Sequence, residues 1–163
     1  MTSGFRIERA DREALDIIVA LEQVIFPEDP WTPGMIADEL DSPFSAYFLA
    51  ILEPESGDDD SPLEVVGYAG VKVVGDGADV MTIGVLPEGR GRGCGSQLME
   101  TLVDHAELQG ATSMFLEVRA SNDSAIRLYE RCGFARIGVR RGYFRHPVED
   151  GVEMARSLSP SVR

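Results

Sequence analysis

The chain has 163 residues, 44% of them hydrophobic, and carries 15 Lys and Arg residues against 28 Asp and Glu residues, a formal net charge of −13. This length and apolar content predict one domain with a full core over residues 1–158, followed by a disordered tail over residues 159–163. So negative a surface argues against nucleic-acid binding and favours a basic partner.

The first half of the chain alternates between strand-like and helix-like patterns of apolar residues. Alternation with a period of two predicts a strand, whereas spacings of three and four predict a helix. The predicted elements are a strand over 5–8, helices over 11–26 and 33–40, a strand over 46–52, a solvated acidic loop over 53–61 and a strand over 65–74. Asp11 and Thr32 are the predicted N-caps of the two helices, and Pro33 occupies the first position of the second helix.

The second half of the chain predicts two parallel strands joined through a helix. The predicted elements are a strand over 79–85, a glycine-rich turn over 86–95, a helix directly after it, a strand over 114–118, a helix that ends at Gly133, and strands over 134–139 and 151–155 around a loop over 140–150. Asn122, Asp123 or Ser124 is the N-cap of the second of these helices. Strand 79–85 pairs in an antiparallel hairpin with strand 65–74. It lies parallel to strand 114–118, because a helix crosses between them.

Cysteine usage and hydropathy predict the compartment. Cys94 and Cys132 are too few and too differently placed for a disulfide framework or a metal site. No apolar run is long enough to cross a membrane, and residues 1–9 lack the apolar core of a signal peptide. We therefore expect a cytoplasmic protein with neither a metal nor a membrane partner.

Five glycines lie within residues 84–95, at the end of strand 79–85 and in the turn that follows it, interleaved with two arginines. The backbone N–H groups of such a turn, with the positive end of the following helix, form a cup suited to phosphate. A nucleotide P-loop is excluded because no lysine follows Gly95. A dinucleotide fingerprint is disfavoured because Ser96 stands where its third glycine belongs, although two glycines and Glu117 fit its spacing.

The segment Arg90–Gly95 fits the Gln/Arg-x-x-Gly-x-Gly/Ala pyrophosphate loop of the Gcn5-related N-acetyltransferases. The preceding Val85-x-Pro87-Glu88 resembles that family's approach to the loop. A second block also matches, in Leu116–Asn122, Ala125–Ile126, Leu128–Glu130 and Gly133–Phe134. Over residues 80–134 the sequence resembles the RimI branch, bacterial enzymes that acetylate the N-terminal alanine of the eighteenth small-subunit ribosomal protein.

This resemblance implies the α/β fold of the family, with a mixed central sheet of about seven strands, a splayed parallel pair and about four flanking helices. It implies acetyl-coenzyme A (acetyl-CoA) as co-substrate, no metal, and the basic N-terminal peptide of a ribosomal protein as partner. In this family the two parallel strands splay apart, and the pantetheine forms hydrogen bonds with the unpaired backbone of the first strand. The resemblance therefore implies that Ile83, Gly84 and Val85 bind the pantetheine and the acetyl group. The other cofactor residues that the resemblance implies are Arg90, Gly91, Arg92, Gly93, Cys94, Gly95, Ser96 and Asn122.

Glu117 lies among apolar residues in a strand that the pattern predicts to be buried. A buried carboxylate is either paired with a partner such as Arg119 or has a raised pKa, suited to a general base that works through water. The resemblance favours the second role. It also makes Tyr129 the acid that protonates the departing coenzyme A sulfur. Plain core packing is the alternative role for Tyr129, because it lies on the apolar face of its helix.

Two aromatic residues are candidates for contact with the acceptor peptide. Trp31 follows Phe26–Pro27, as in the segment of RimI-type enzymes that faces the peptide, although a core role for its ring fits the sequence equally. Tyr143 lies before the last predicted strand, in a motif where the family has Asn at position 142 and Tyr at position 144. The chain retains Tyr143 but has Gly142 and Phe144 at those two positions.

The chemistry of the acceptor amine favours a protein N-terminus. At pH 7 about one-tenth of an α-amine with a pKa of ~8 is neutral, against roughly one part in 2,500 of a lysine side chain. No histidine neighbours Cys94 or Cys132 in the sequence to activate a thiol, so we expect direct attack by the amine. Acetylation of lysine or of a small amine, and a non-catalytic acyl-CoA sensor, are the alternatives.

Overall fold

Seven strands form one mixed sheet flanked by four helices in the computed structural model, which describes residues 4–53 and 63–160. The strands are β1 (Phe5–Ala10), β2 (Ser45–Leu52), β3 (Glu64–Val74), β4 (Gly77–Val85), β5 (Ser113–Arg119), β6 (Ala135–Arg145) and β7 (Val148–Ser157). The helices are α1 (Leu15–Ile25), α2 (Pro33–Asp41), α3 (Cys94–Leu108) and α4 (Asp123–Arg131). Residues 54–61 of the predicted acidic loop and residues 161–163 of the predicted tail lie outside the described residues.

The sheet has the strand order β1-β2-β3-β4-β5-β7-β6, and all neighbours are antiparallel except β4 and β5. Pairing between these two strands is confined to Gly77–Asp79 opposite Ser113–Phe115. Beyond these residues the two strands diverge, and no strand within residues 4–53 and 63–160 pairs with the end of β4 on its β5 side. The divergence confirms the predicted splayed parallel pair and opens a gap in the sheet.

Each face of the sheet buries its own hydrophobic cluster. Successive residues of β2 point to opposite faces, as in any strand. Phe48 and Ala50 belong to the cluster with α3 and α4, whereas Tyr47 and Leu49 belong to the cluster with α1 and α2. The centre of the sheet is therefore covered on both faces, and the gap between β4 and β5 is where its interior opens.

Helix α2 and helix α4 are capped as the sequence predicted. Thr32 Oγ1 accepts a hydrogen bond from the first turn of α2 at 3.1 Å, and Asn122 Oδ1 accepts one from the first turn of α4 at 3.2 Å. Asp11 caps a short 3₁₀ turn, Arg12–Ala14, which precedes α1, instead of α1 itself. The two side-chain caps fix where the chain enters α2 and α4.

Strands β6 and β7 are longer than the sequence predicted. They form a hairpin that turns at His146–Pro147, so the expected loop over 140–150 is wrong. Pairing is irregular in the middle of β6, where Gly142 has a left-handed φ of 60° and its N–H donates to Asp150 Oδ1 at 2.9 Å. The arginines and the glycine of this segment are typical of a loop. The segment nevertheless forms a strand, because a β-bulge takes up the irregular pairing.

Within residues 4–53 and 63–160, no helix is long and apolar enough to cross a lipid bilayer. In the same part of the chain, no three His, Cys, Asp or Glu side chains are grouped as a metal site requires.

Candidate active site

The gap between β4 and β5 opens into a cavity of about 840 Å³. It is bounded by the ends of both strands, the loop before α3, the start of α4 and the connection between α1 and α2. Its lining includes most of the predicted cofactor residues, namely Ile83, Gly84, Val85, Arg90, Gly91, Gly93, Cys94, Gly95, Ser96 and Asn122. Arg92 does not line the cavity, and it is exposed to solvent.

The loop between β4 and α3 has the backbone shape of an anion-binding cup. Gly91 and Gly93 have φ values of 75° and 83°, in the left-handed region that favours glycine, and α3 begins directly afterwards at Cys94. The first N–H groups of a helix have no partner within it and carry its partial positive charge. Arg90 Nε braces the loop by donating to Val85 O at 3.1 Å. The loop therefore fits the phosphates of an anionic cofactor.

Helix α4 forms the wall of the cavity that faces this loop. It packs closely on α3, since a Cβ placed on Gly95 would lie 2.9 Å from Leu128 Cδ2 and would displace that side chain. Asn122 and Arg131, at the two ends of α4, both line the cavity. Arg131, which no motif in the sequence marks, adds a cation to the site.

A second cavity, of about 420 Å³, adjoins the first. It is lined by Asp29, Trp31, Val80, Met81, Glu117, Tyr143, Phe144, Arg145 and His146. The residues that line both cavities are Asp29, Trp31, Val80, Met81, Glu117 and Phe144. The two cavities therefore meet along these shared residues, and Glu117 is the one that β5 contributes, just beyond the point where β4 separates from β5.

Glu117 lies opposite Glu153 of β7 and beyond the last residues that pair β5 with β4. Burial raises the pKa of its carboxyl; the charges of Asp79 and Glu153 raise it further, whereas that of Arg140 lowers it. Arg119, the alternative partner suggested by the sequence, forms its ion pairs elsewhere. A carboxyl that faces both cavities with a raised pKa has the properties of a general base.

Tyr129 combines a core ring with a place in the larger cavity. Its ring lies edge-to-face against Phe134 at a centroid distance of 6.3 Å, and the residue is 8% exposed. It also lines the larger cavity. Burial raises the pKa of its hydroxyl, so the group is protonated at neutral pH but is a weaker acid than an exposed tyrosine.

Glu117 and Tyr129 reach the larger cavity from opposite faces of the sheet. Leu116 and Val118 pack in the same cluster as Tyr129, on the face covered by α3 and α4. Glu117 lies between them along β5 and so points to the other face. An intact sheet would keep the two side chains apart, whereas the gap between β4 and β5 lets both border one cavity.

A buried carboxylate beside the gap was not identified from the sequence. Glu22 is 2% exposed and lines the larger cavity. It accepts hydrogen bonds from Tyr68 Oη and from Trp31 N, the latter at 2.8 Å, and burial raises its pKa. The available signal was its place on the apolar face of a helix. Through the second bond, Glu22 holds the Trp31 backbone at the junction of the two cavities.

The aromatic residues on the acceptor side have different environments. Trp31 packs against the cluster on the α1 and α2 face and lines both cavities, so it has a core role and a place in the site. Tyr143 is 44% exposed and, of the two cavities, lines the smaller. Its ring lies edge-to-face with that of Phe144, which lines both cavities, at a centroid distance of 5.0 Å.

A model of the acetyltransferase (GNAT) family matches residues 15–134. The N-alpha-acetyltransferase RimI of Mycobacterium tuberculosis is 38% identical over 154 residues, which span 92% of this chain and 89% of that protein. The chain belongs to the acetyltransferase (GNAT) family. The predicted family is therefore confirmed, and the cavity at the splayed strands is the candidate active site of an acetyltransferase.

Other relatives and solved structures agree with this assignment. The [ribosomal protein bS18]-alanine N-acetyltransferase of Escherichia coli is 41% identical over 92 residues, 56% of this chain and 61% of that protein. The crystal structure of the ribosomal-protein-S18-alanine N-acetyltransferase from Escherichia coli has a TM-score of 0.80 at 29% identity and covers 98% of this chain and 97% of that chain. Arabidopsis thaliana NAA60 in complex with acetyl-CoA has a TM-score of 0.81 at 18% identity, covering 95% and 99% of the two chains, and shows the shared fold. GNAT enzymes use acetyl-CoA, so the chain is an acetyl-CoA-dependent acetyltransferase.

Proposed function

We propose that this acetyltransferase modifies the N-terminal amine of a protein, with the alanine terminus of ribosomal protein bS18 as its acceptor. The observation that carries the proposal is the meeting of the two cavities at Glu117. The larger cavity contains the glycine loop. A chain end that enters the smaller cavity would bring its amine to the carboxylate. The relatives named for N-alpha-acetylation and for bS18-alanine acetylation support this acceptor.

A basic acceptor peptide suits the electrostatics of the enzyme. The formal net charge is −13, and the smaller cavity is lined by two carboxylates, of Asp29 and Glu117, against one arginine, Arg145. Such a field attracts a cationic peptide from solution. An α-amine also has a lower pKa than a lysine side chain. Losing a proton to reach the neutral form therefore costs an α-amine ~3 kcal/mol less than it costs lysine.

The residues of the larger cavity suit acetyl-CoA, which supplies an activated thioester acetyl group when bound. We assign the pyrophosphate to the loop Arg90–Ser96, whose N–H groups and helix terminus favour an anion. Arg131 adds a positive charge at the same cavity. The unpaired edge of Ile83–Val85 is assigned to the pantetheine amides, which would bond it as an added strand does.

Proton transfer is assigned to Glu117 and Tyr129. The amine nitrogen attacks the acetyl carbon, so that a C–N bond forms and the C–S bond breaks. Glu117 accepts the proton that the amine loses, through an intervening water, and Tyr129 donates its hydroxyl proton to the departing sulfur. Burial raises the pKa of Cys94 to about 11, which keeps this thiol protonated and favours direct attack over an acyl-enzyme.

The test is an assay with a short peptide that begins with alanine and contains a lysine further along. Release of free CoA measures turnover, and mass spectrometry of the peptide locates the acetyl group. We expect acetylation of the α-amine. A matched peptide with a blocked N-terminus is the control, and it should give no turnover.

Acetylation of the lysine instead would overturn the proposed acceptor while leaving the family and the cofactor in place. Binding of acetyl-CoA without turnover on any amine would favour an acyl-CoA sensor. A parallel assay with small amines separates the peptide acceptor from a metabolite acceptor.

A further inference from the structure

Arg119, the last residue of β5, holds the turn of the β6–β7 hairpin with one side chain. Its Nη1 donates to Pro147 O at 2.9 Å, and its Nη2 donates to His146 O at 3.1 Å. Nη1 also lies 3.4 Å from Glu149 Oε1. The guanidinium carbon lies over the Phe144 ring, 4.5 Å from its centroid. This guanidinium therefore links the hairpin turn to the end of β5, beyond the last residues that pair β5 with β7.

The same guanidinium reaches the connection between α1 and α2. Nη2 lies 3.7 Å from Asp29 Oδ2, and Asp29 and Trp31 of this connection both line the smaller cavity. Glu149 Oε2 in turn accepts a hydrogen bond from Ser121 N at 2.6 Å, which ties the hairpin to the start of α4. Three segments around the site are thus linked through one arginine.

Arg119 lines the larger cavity but not the smaller one. Three residues that it contacts do line the smaller cavity, namely Asp29, Phe144 and His146. We propose that Arg119 is a positioning residue for the acceptor, and that it holds the hairpin and the α1–α2 connection at the separation that admits a peptide terminus. This inference rests on the proposed function, because it takes the smaller cavity as the acceptor site.

The chemistry of the guanidinium explains why an arginine suits this position. Its planar fork donates to carbonyls of two successive residues and still offers a face to an aromatic ring. A lysine would keep the charge, but its compact ammonium has no planar face and no fixed fork. Arg119→Lys therefore removes the positioning geometry while preserving the charge of the site.

The kinetic test compares Arg119→Lys with the wild type in the peptide assay. We expect the KM for the alanine-initiated peptide to rise about tenfold, because the acceptor walls lose their fixed separation. The KM for acetyl-CoA should change by less than about twofold, because the glycine loop and the edge of β4 are untouched. This split between the two substrates is what a general loss of stability would not produce.

A second readout does not depend on turnover. Trp31 is the only tryptophan of the chain, and it lies on the connection that Arg119 tethers through Asp29. Quenching of its fluorescence by acrylamide should increase in Arg119→Lys, because the connection becomes more mobile. Circular dichroism and the melting temperature confirm that the variant is folded during the measurement.

Two further variants complete the test. Arg156→Lys is the matched control: Arg156 Nη1 also donates to a backbone carbonyl, Cys132 O at 2.7 Å, but the residue lines neither cavity. It should leave both KM values and the Trp31 quenching unchanged. Glu149→Gln also lines neither cavity and weakens the hold of Arg119 on the hairpin, so it should raise the peptide KM in the same direction. It serves as the test variant if Arg119→Lys does not fold.

The proposal is overturned by an unchanged peptide KM, by wild-type quenching of Trp31 in a folded variant, or by a rise confined to the KM for acetyl-CoA. The last result would make Arg119 a cofactor contact. Failure of the proposed function gives a different pattern, in which the wild type acetylates no peptide. In that case the quenching comparison of Arg119→Lys with Arg156→Lys still decides whether Arg119 positions the α1–α2 connection.

Discussion

Glu117 shows how the loss of one neighbouring strand changes the chemistry of a side chain. Along β5 it alternates with buried apolar residues, and β4 has already diverged at this point. Burial raises its pKa, and the charge of Asp79 acts in the same direction. The carboxyl is therefore closer to its ionisation midpoint at working pH than an exposed glutamate would be, which suits a base.

The first prediction concerns Glu117→Gln, which keeps the shape of the side chain but removes the proton acceptor. We expect kcat to fall roughly 10²-fold at neutral pH. The loss should be smaller at high pH, where the amine is already neutral. Steady-state kinetics with the alanine-initiated peptide across the pH range measures both effects, and an unchanged rate at neutral pH would remove Glu117 as the base.

The direction of the pH dependence provides the control for this prediction. Glu117 accepts a proton only when ionised, so the wild-type rate should fall as the pH drops through its raised pKa. Arg140 lowers that pKa, and Arg140→Gln should therefore move the falling limb to higher pH. A limb that stayed in place or moved to lower pH would contradict the assignment. Glu117→Gln should lose the limb that belongs to the carboxyl and keep only the fall in rate caused by protonation of the acceptor amine.

At the scale of residues, the sequence alone pointed to the candidate site residues that belong to recognisable motifs. Glu117, Tyr129 and Trp31 were singled out by their neighbours in the chain, and the structure places all three at the cavities. Glu22 was missed, and Arg119 was considered only as a partner for Glu117, because contacts that define their roles are remote in the sequence. Tyr68 lies 46 positions from Glu22, and the carbonyls that Arg119 binds lie 27 and 28 positions away. No local pattern reports such contacts.

At the scale of elements, the loop between β4 and α3 depends on the backbone freedom of glycine. Gly93 has a φ of 83°, and a Cβ at this position would meet no atom within 4 Å. A side chain would therefore cause no steric clash with other residues, but the backbone conformation would be unfavourable for it. An alanine in the left-handed region costs about 1–2 kcal/mol. The loop can avoid this cost only by changing the shape of its cup.

Gly93→Ala should therefore weaken cofactor binding more than it weakens the fold. We expect the KM for acetyl-CoA to rise about tenfold, equivalent to about 1.4 kcal/mol, with little change in the KM for the peptide. Gly75→Ala is the matched control, since Gly75 has a φ of 63° and equally open surroundings in the turn between β3 and β4. If both variants lower the melting temperature alike and neither changes the KM, the loop is not the cofactor cup.

The elements differ in how well the sequence predicted them. The strand, glycine turn and helix over residues 77–108 were predictable because hydrophobic period, glycine content and helix start all agree. The hairpin of β6 and β7 was not, because Gly142 and Pro147 are typical of loops in isolation. The ladder with β5 and the hydrogen bond from Gly142 N to Asp150 override that local signal.

At the scale of the whole molecule, the sequence predicted the composition of the sheet but not its strand order. The parallel pair follows from a helix that crosses between two strands, which is a local rule. The insertion of β7 between β5 and β6 is a long-range pairing, and no local pattern specifies it. Net charge, in contrast, is known from sequence alone, and its effect on substrates is a property of the whole molecule.

The net charge of −13 predicts different salt effects on the KM values of the two substrates. Long-range attraction of a basic peptide is screened as salt rises, because the Debye length shortens from about 10 Å at 0.1 M to about 3 Å at 1 M. The peptide KM should therefore rise severalfold over this range. The KM for acetyl-CoA should not rise with it, because the same screening also reduces the repulsion between the acidic protein and an anionic cofactor. The control is the same peptide with its basic residues replaced by glutamine. A salt-independent KM for the basic peptide, or an equal rise for the neutral one, would show that charge does not select the acceptor.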